Sequence, residues 1–230
     1  MATKRHPYGA LDEDLLDAYP DVWGPLPDPE MQEKPQWEIM DAVRSWYGQR
    51  SDVFVSGNTG IYYEEGNPNA VVRPDCYVVF GEGAERLWNP YAYRVWDFGA
   101  TPAFVLEVGS KSTWQNDLGY QRDLYARLGV DEYWRYDPSG GDYYGEPLVG
   151  EYLERGEYQR FELQPGPDRM ILAHSRVLQL ELRVRDQQLE FHDPQTGEIL
   201  VNAIVQRERR LAAEAEVARL QAELRRLRGE

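Results

Sequence analysis

The chain has 230 residues, 40 acidic against 25 lysine and arginine side chains, a formal net charge of −15, and 42% hydrophobic and 13% aromatic residues. This composition excludes a disordered chain and allows a sizeable core, while the single cysteine, Cys76, excludes a disulfide framework or a cysteine-based zinc site within one chain. The acidity runs against the basic surface usual in nucleic-acid binders, and the lack of a long apolar run or signal-like start leads us to expect a cytoplasmic protein with no membrane partner.

Residues 1–35 are rich in Pro, Asp and Glu and read as an N-terminal arm anchored by Tyr19, Val22 and Trp23. From Trp37 to Tyr47 apolar residues recur near helical spacing, which predicts a first helix. Val53 to Val55 and Ile61 to Tyr63 are short β-prone runs with a Gly57-Asn58 turn signal between them. A loop then leads through Val71-Val72-Arg73-Pro74 to Asp75, which opens the apolar run Cys76 to Phe80. The stretch Gly81 to Thr101 reads as a polar and aromatic connection. Ala103 to Val108 has the continuous apolar character of a strand buried on both faces.

Ser110 to Thr113 offers N-cap candidates for a helix running to about Leu128, where Gly129 suits a left-handed C-terminal cap. Trp114, Leu118, Gln121, Tyr125 and Leu128 fall on one stripe of that helix, facing the sheet, with Asp117 one turn before Gln121. Val130 to Tyr136 follows as a strand ended by Asp137-Pro138, and strand, helix, strand with short loops implies a right-handed parallel crossover. Beyond a Gly-rich loop, segments near Tyr158–Phe161, Val177–Val184 and Leu189–His192 are expected to be antiparallel strands. From about Val201 to Arg228 neither Gly nor Pro occurs, and Ala213, Val217, Leu220, Leu224 and Leu227 keep a coiled-coil spacing. That helix either packs on its own domain or forms a homodimer. The expected division is an arm at 1–35, an α/β domain with a β-rich extension at 36–198, and a C-terminal helix at 199–230.

The chemistry concentrates at Glu107, an ionisable residue inside the apolar run Phe104 to Val108. A lone carboxylate there costs several kcal/mol, to an order of magnitude, unless it is paired, protonated or bound to a metal. Asp75 heads the other apolar run, and two carboxylates on neighbouring central strands form a candidate metal site that points to a hydrolase. Blander readings stand beside this one: Asp75 as a turn or strand cap, Glu107 paired with Arg73 or Arg135, Asp117 as a helix-surface or hydrogen-bonding residue. His6, His174 and His192 show no metal-ligand spacing. No phosphate-cradling loop, nucleophile elbow or dinucleotide fingerprint is present.

Pro74-Asp75, Phe104-Val105-Leu106-Glu107-Val108 with Ser110 and Ser112-Thr113, Asp117, Leu124-Tyr125, Gly129-Val130, Glu132-Tyr133-Trp134 and Asp137-Pro138 together resemble the putative restriction endonuclease family of largely unknown function, placed in the PD-(D/E)XK nuclease superfamily. The specific match spans about Val53 to Pro138. The resemblance implies a restriction-endonuclease-like α/β fold, a central mixed β-sheet flanked by helices, acting as a Mg²⁺- or Mn²⁺-dependent endonuclease on DNA. Asp75 and Glu107 match its metal-binding carboxylates, the Val108 carbonyl would complete the protein's share of the ligands, and Glu38 on the first helix is a further candidate ligand or base. The chain departs from the pattern at the lysine. Gly109 stands where the superfamily places it, and Gln121 stands at the helix position that the resembling family uses. Lys111, or an arginine such as Arg122, would replace it; alternatively Gln121 suffices, or the site is weakened. A nuclease fold kept as a non-catalytic binding or scaffold module that dimerises through the C-terminal helix is the alternative function.

Overall fold

The protein is seen here in a computed structural model, which describes residues 33–48, 50–82, 84, 92–201, 211, 214, 217 and 219. In chain order the elements are α1 (Glu33–Tyr47), β1 (Val53–Ser56), β2 (Gly60–Tyr62), β3 (Val71–Val72), β4 (Cys76–Phe80), β5 (Ala92–Arg94), α2 (Val95–Phe98), β6 (Phe104–Val108), α3 (Trp114–Leu118) and α4 (Tyr120–Leu128). They continue with β7 (Glu132–Tyr136), β8 (Leu148–Glu154), β9 (Glu157–Arg160), β10 (Gln164–Pro165), β11 (Ile171–Ser175), β12 (Leu180–Arg185) and β13 (Gln188–His192). A six-stranded sheet of order β1-β4-β6-β7-β8-β9 forms the centre. Only β6 and β7 run parallel in it, joined through α3 and α4, and the other pairs are antiparallel.

Both faces of this sheet are covered, which is why its middle strands are apolar without interruption. On one face Cys76, Val78, Phe104, Leu106 and Trp134 pack against Ile39, Met40 and Val43 of α1 and against the four-stranded sheet β10-β11-β12-β13 through Leu180, Leu182 and Phe191. On the other, Tyr77, Val79, Val105 and Tyr133 meet Leu124 and Tyr125 of α4, together with Ile61, Val72 and Tyr93 of the three-stranded sheet β3-β2-β5. Side chains alternate along a strand, so Glu107 follows Val105, and Asp75 precedes Tyr77, onto the α4 face.

The mixed α/β architecture, the buried Glu107 strand and the parallel β6–β7 crossover agree with the sequence reading. Gly129 has the left-handed conformation expected of it (φ 79°), and its N–H bonds back to Tyr125 and Ala126 carbonyls. The long helix from Ser110 does not form as one piece. Gly119 (φ −114°, ψ −99°) leaves the helical basin and separates α3 from α4. Leu118 is therefore 40% exposed, while Gln121, Leu124 and Tyr125 keep the inward stripe. Residues Gly81 to Thr101 contain β5 and α2 rather than connection alone, and β8, β10 and β11 add strands beyond those the sequence predicts. β8 hides its nature because Gly150 interrupts it; a Cβ there would sit 2.3 Å from the ring of Trp134, so the glycine marks a packed strand. Residues 1–32 of the expected N-terminal arm lie outside the described residues, while Glu33 to Pro35 already belong to α1; the coiled-coil seam and homodimer expected of the C-terminal helix also lie outside, apart from the helical positions 211, 214, 217 and 219.

One buried carboxylate ties the central sheet to the β-rich extension. Glu132 on β7 accepts hydrogen bonds from Trp134 Nε1 (3.0 Å), Ser175 Oγ (2.6 Å) and the backbone N–H groups of Arg176 (2.7 Å) and Val177 (3.1 Å). Each buried donor left without a partner costs about 1–3 kcal/mol. Glu132→Ala is expected to lower stability by about 3 kcal/mol or more in urea denaturation; a loss under about 1 kcal/mol would show that the extension is held by apolar packing alone.

Candidate functional site

Asp75 stands just before β4 and Glu107 in β6, and the register of these strands, with Cys76 opposite Leu106, brings the two acids face to face. They are locked by a reciprocal pair of bonds: the Asp75 N–H donates to Glu107 Oε2 (3.2 Å), and the Val108 N–H donates to Asp75 Oδ2 (2.7 Å). Glu107 Oε1 also accepts from Tyr125 Oη (2.7 Å) and Gln121 Nε2 (3.3 Å), both on α4. Asp75 Oδ1 accepts from Gln36 Nε2 on α1, whose own Oε1 accepts from Asn58 Nδ2 (3.4 Å). The turn after β1 rests directly on this aspartate: the Asn58 N–H bonds the Pro74 carbonyl (2.8 Å), and a Cβ on Gly57 would lie 2.0 Å from the Asp75 carbonyl oxygen.

Like charges placed opposite each other across a ladder repel, and burial adds to the penalty on ionisation. Burial first, then the Asp117 charge, raises the Asp75 carboxyl to about 7, against the pull of the Val108 N–H. Burial and the charges of Asp75 and Asp117 push Glu107 well above its ordinary range. Asp117 is buried in α3, where its carboxylate accepts from Tyr144 Oη (2.6 Å); burial raises it to about 6 although Arg135 draws it down. Two arginines near the site are committed elsewhere. Arg135, in register with Glu107, ion-pairs with Glu151 (2.6 Å), and Arg122 clasps the same carboxylate (2.8 Å).

Oxygen donors alone, buried and short of positive charge, suit a hard divalent cation. Asp75 and Glu107 could hold one, with the backbone of Val108 already bonded to Asp75 through its N–H. Among the described residues no group of three or more His, Cys, Asp or Glu side chains is placed to hold a metal ion. A further observation favours a small polar guest: Gln121 Oε1 is buried without a hydrogen-bond partner. Such an orphan calls for a water or ligand group.

The Uma2 family, described as Putative restriction endonuclease, matches residues 24–221. The chain belongs to this family. Among solved structures it is similar to one titled as a putative nuclease belonging to DUF820 from Anabaena variabilis, at 15% identity, covering 72% of this chain and 84% of that one, with a TM-score of 0.49. No curated protein matches.

Within this Uma2 chain, Asp75, Glu107, Gln121 and the backbone of Val108 come together. Lys111 does not join them: it is exposed in the turn between β6 and α3. Glu38 is exposed on α1, where its charge is felt by Tyr136, and the α1 residue that reaches Asp75 is Gln36. Gln36 lies before the helix start that apolar spacing predicts at Trp37, and the sequence signal for an earlier start is Pro35, suited to a first turn. Tyr125, which helical spacing marks as packing, also donates its hydroxyl to Glu107. Tyr144 had no local signal, since a loop distant in sequence carries it: Asp137 accepts the N–H groups of Tyr143 (2.7 Å) and Tyr144 (3.1 Å) and so holds the Tyr144 hydroxyl on Asp117.

Carboxyls with raised folded-state values keep protons that the unfolded chain has lost, so their contribution to stability is present at low pH and disappears as pH rises through about 6 to 7. Glu151, lowered by its arginines, acts oppositely, but below the ordinary glutamate range. In EDTA the melting temperature should fall from pH 5 to pH 8, and Asp75→Asn should flatten that slope. A midpoint that stays level or rises over this range would contradict an uncompensated acidic cluster.

Proposed function

We propose that the protein is a metal-dependent endonuclease that hydrolyses phosphodiester bonds of DNA, with Mg²⁺ or Mn²⁺ held by Asp75, Glu107 and the Val108 carbonyl. The observation that carries this reading is the reciprocal clamp that forces the half-buried Asp75 and the buried Glu107 together, with no ion-pair partner for either among the described residues. A bound divalent cation would neutralise phosphate charge and lower the pKa of the attacking water. The residues supply the rest. Asp75 and Glu107 would hold the cation in their ionised forms, so binding should be stronger at pH 8 than at pH 5. Tyr125 Oη and the Asp75 N–H fix the Glu107 carboxylate in one orientation. Gln121 spends its amide N–H on Glu107 and keeps Oε1 to accept a hydrogen bond from the water, orienting it without acting as a base. Lys111, on its exposed turn, supplies a flexible cation for a phosphate oxygen. A homodimer through the C-terminal helix would present two such sites to the two strands of a duplex.

A non-catalytic binding or scaffold module is the competing reading, and the uncharged Gln121 is what favours it. Plasmid and single-stranded DNA at low salt with Mg²⁺ or Mn²⁺ separate the two. Cleavage should fall by about 100-fold or more in Asp75→Ala and Glu107→Ala, and by less in Lys111→Ala. Metal at 100 times its Kd should stabilise the wild type by about 2.7 kcal/mol, and Asp75→Ala should abolish that gain. A silent wild type with a cutting Gln121→Lys would mark a nuclease that lost its lysine; no cleavage and no metal-dependent stabilisation in any variant would leave the scaffold.

A further inference from the structure

A pocket of about 340 Å³ opens between α1 and β1. Its walls combine the indole of Trp37 and the ring of Tyr47 with Met40, Arg44, Gly57 and Thr59. Two of these belong equally to the surroundings of Asp75. The Met40 sulfur lies 3.3 Å from where a Cβ of Gly57 would stand, and that same Cβ position is 2.0 Å from the Asp75 carbonyl oxygen. Trp37 directly follows Gln36, the residue that donates to Asp75. The pocket thus adjoins the Gly57 turn that rests on the Asp75 backbone and the turn of α1 that carries Gln36.

Its lining is that of a site for a flat heterocycle with a polar edge. Trp37 is 60% exposed, uncommon for so large an apolar ring and open to stacking. Arg44 is fixed by its bond to the Val55 carbonyl (3.1 Å), which brings a cation to the pocket in a set position. Thr59 and Ser56 share a hydroxyl–hydroxyl bond (3.0 Å) on the adjoining wall. The volume lies at the lower end of small-molecule sites. Net charge adds a separate argument. A chain at −15 gains less from phosphate attraction and counterion release than a basic one, whereas stacking of bases on aromatic rings is independent of net charge and serves single strands.

We propose that this pocket receives an unpaired nucleobase of the DNA strand, so that the protein engages single-stranded or locally opened DNA in preference to closed duplex. The proposal rests on the nuclease reading for the identity of its ligand and deepens it by naming the substrate class. Stacking on Trp37 anchors the base, Arg44 faces its polar edge or the adjoining phosphate, and the attached backbone runs toward Asp75 and Glu107.

The test compares wild type, Trp37→Ala, Trp37→Tyr and Arg44→Gln. Binding of a labelled short oligothymidylate and of a blunt duplex is followed by anisotropy at low salt with Ca²⁺, and cleavage is followed in parallel with Mg²⁺. Because Trp37 is largely exposed, its replacement should leave the melting temperature unchanged. Single strands should bind about tenfold or more tighter than duplex. Trp37→Ala should remove about tenfold of that affinity, Trp37→Tyr should restore most of it, and Arg44→Gln should weaken it as well. Equal affinity for single strand and duplex, or Trp37→Ala binding like wild type, would overturn the pocket even if Asp75-dependent cleavage is present. Trp37-dependent binding without any cleavage would uphold the pocket and overturn the nuclease reading instead.

Discussion

Two backbone N–H groups, one on Asp75 and one on Val108, hold the site together by each donating to the carboxylate of the opposite acid. The arrangement is possible only because β4 and β6 are antiparallel neighbours in this register. It also sets the electrostatics, since the geometry that satisfies one oxygen of each acid also fixes the acids against each other. The central sheet must therefore be stable enough to hold two repelling groups in place. Its covering on both faces by α1, α4 and two smaller sheets supplies the apolar burial for that.

Glu132 and Glu107 show how burial alone fails to distinguish structure from chemistry. Both acids sit on central strands, and both are almost inaccessible to solvent. Glu132 is surrounded by four donors from side chains and backbone, and they fasten the extension to the sheet. Glu107 has three, yet it faces two further acids and an amide whose oxygen is left over. A satisfied carboxylate is a rivet. An over-crowded one next to an orphaned acceptor has the features of a site that awaits a guest.

Much of this was legible in the sequence, for physical reasons that differ by element. The run Phe104 to Val108 announced both the buried strand and its anomalous acid, and Gly129 announced the end of α4. Gln121 could be aimed at the sheet by helical spacing from Tyr125 even though the helix breaks at Gly119. Spacing within α4 is local, so an upstream break does not disturb it. What stayed hidden depends on contacts distant in sequence. The Gln36–Asp75 and Tyr144–Asp117 bonds join elements whose separation no local pattern encodes. Gly150 gives no strand signal of its own because the Trp134 ring that requires it lies on another strand.

The turn after β1 carries a similar dependence into the behaviour of variants. Gly57 has no room for even a methyl group, because the carbonyl of Asp75 occupies that space. The two positions are therefore not free to drift separately. Any lineage that keeps this aspartate in its present pose inherits a glycine at the turn, and a side chain acquired there would displace the aspartate before it touched any ligand. Loss of the site could thus begin at a residue with no chemical group to lose.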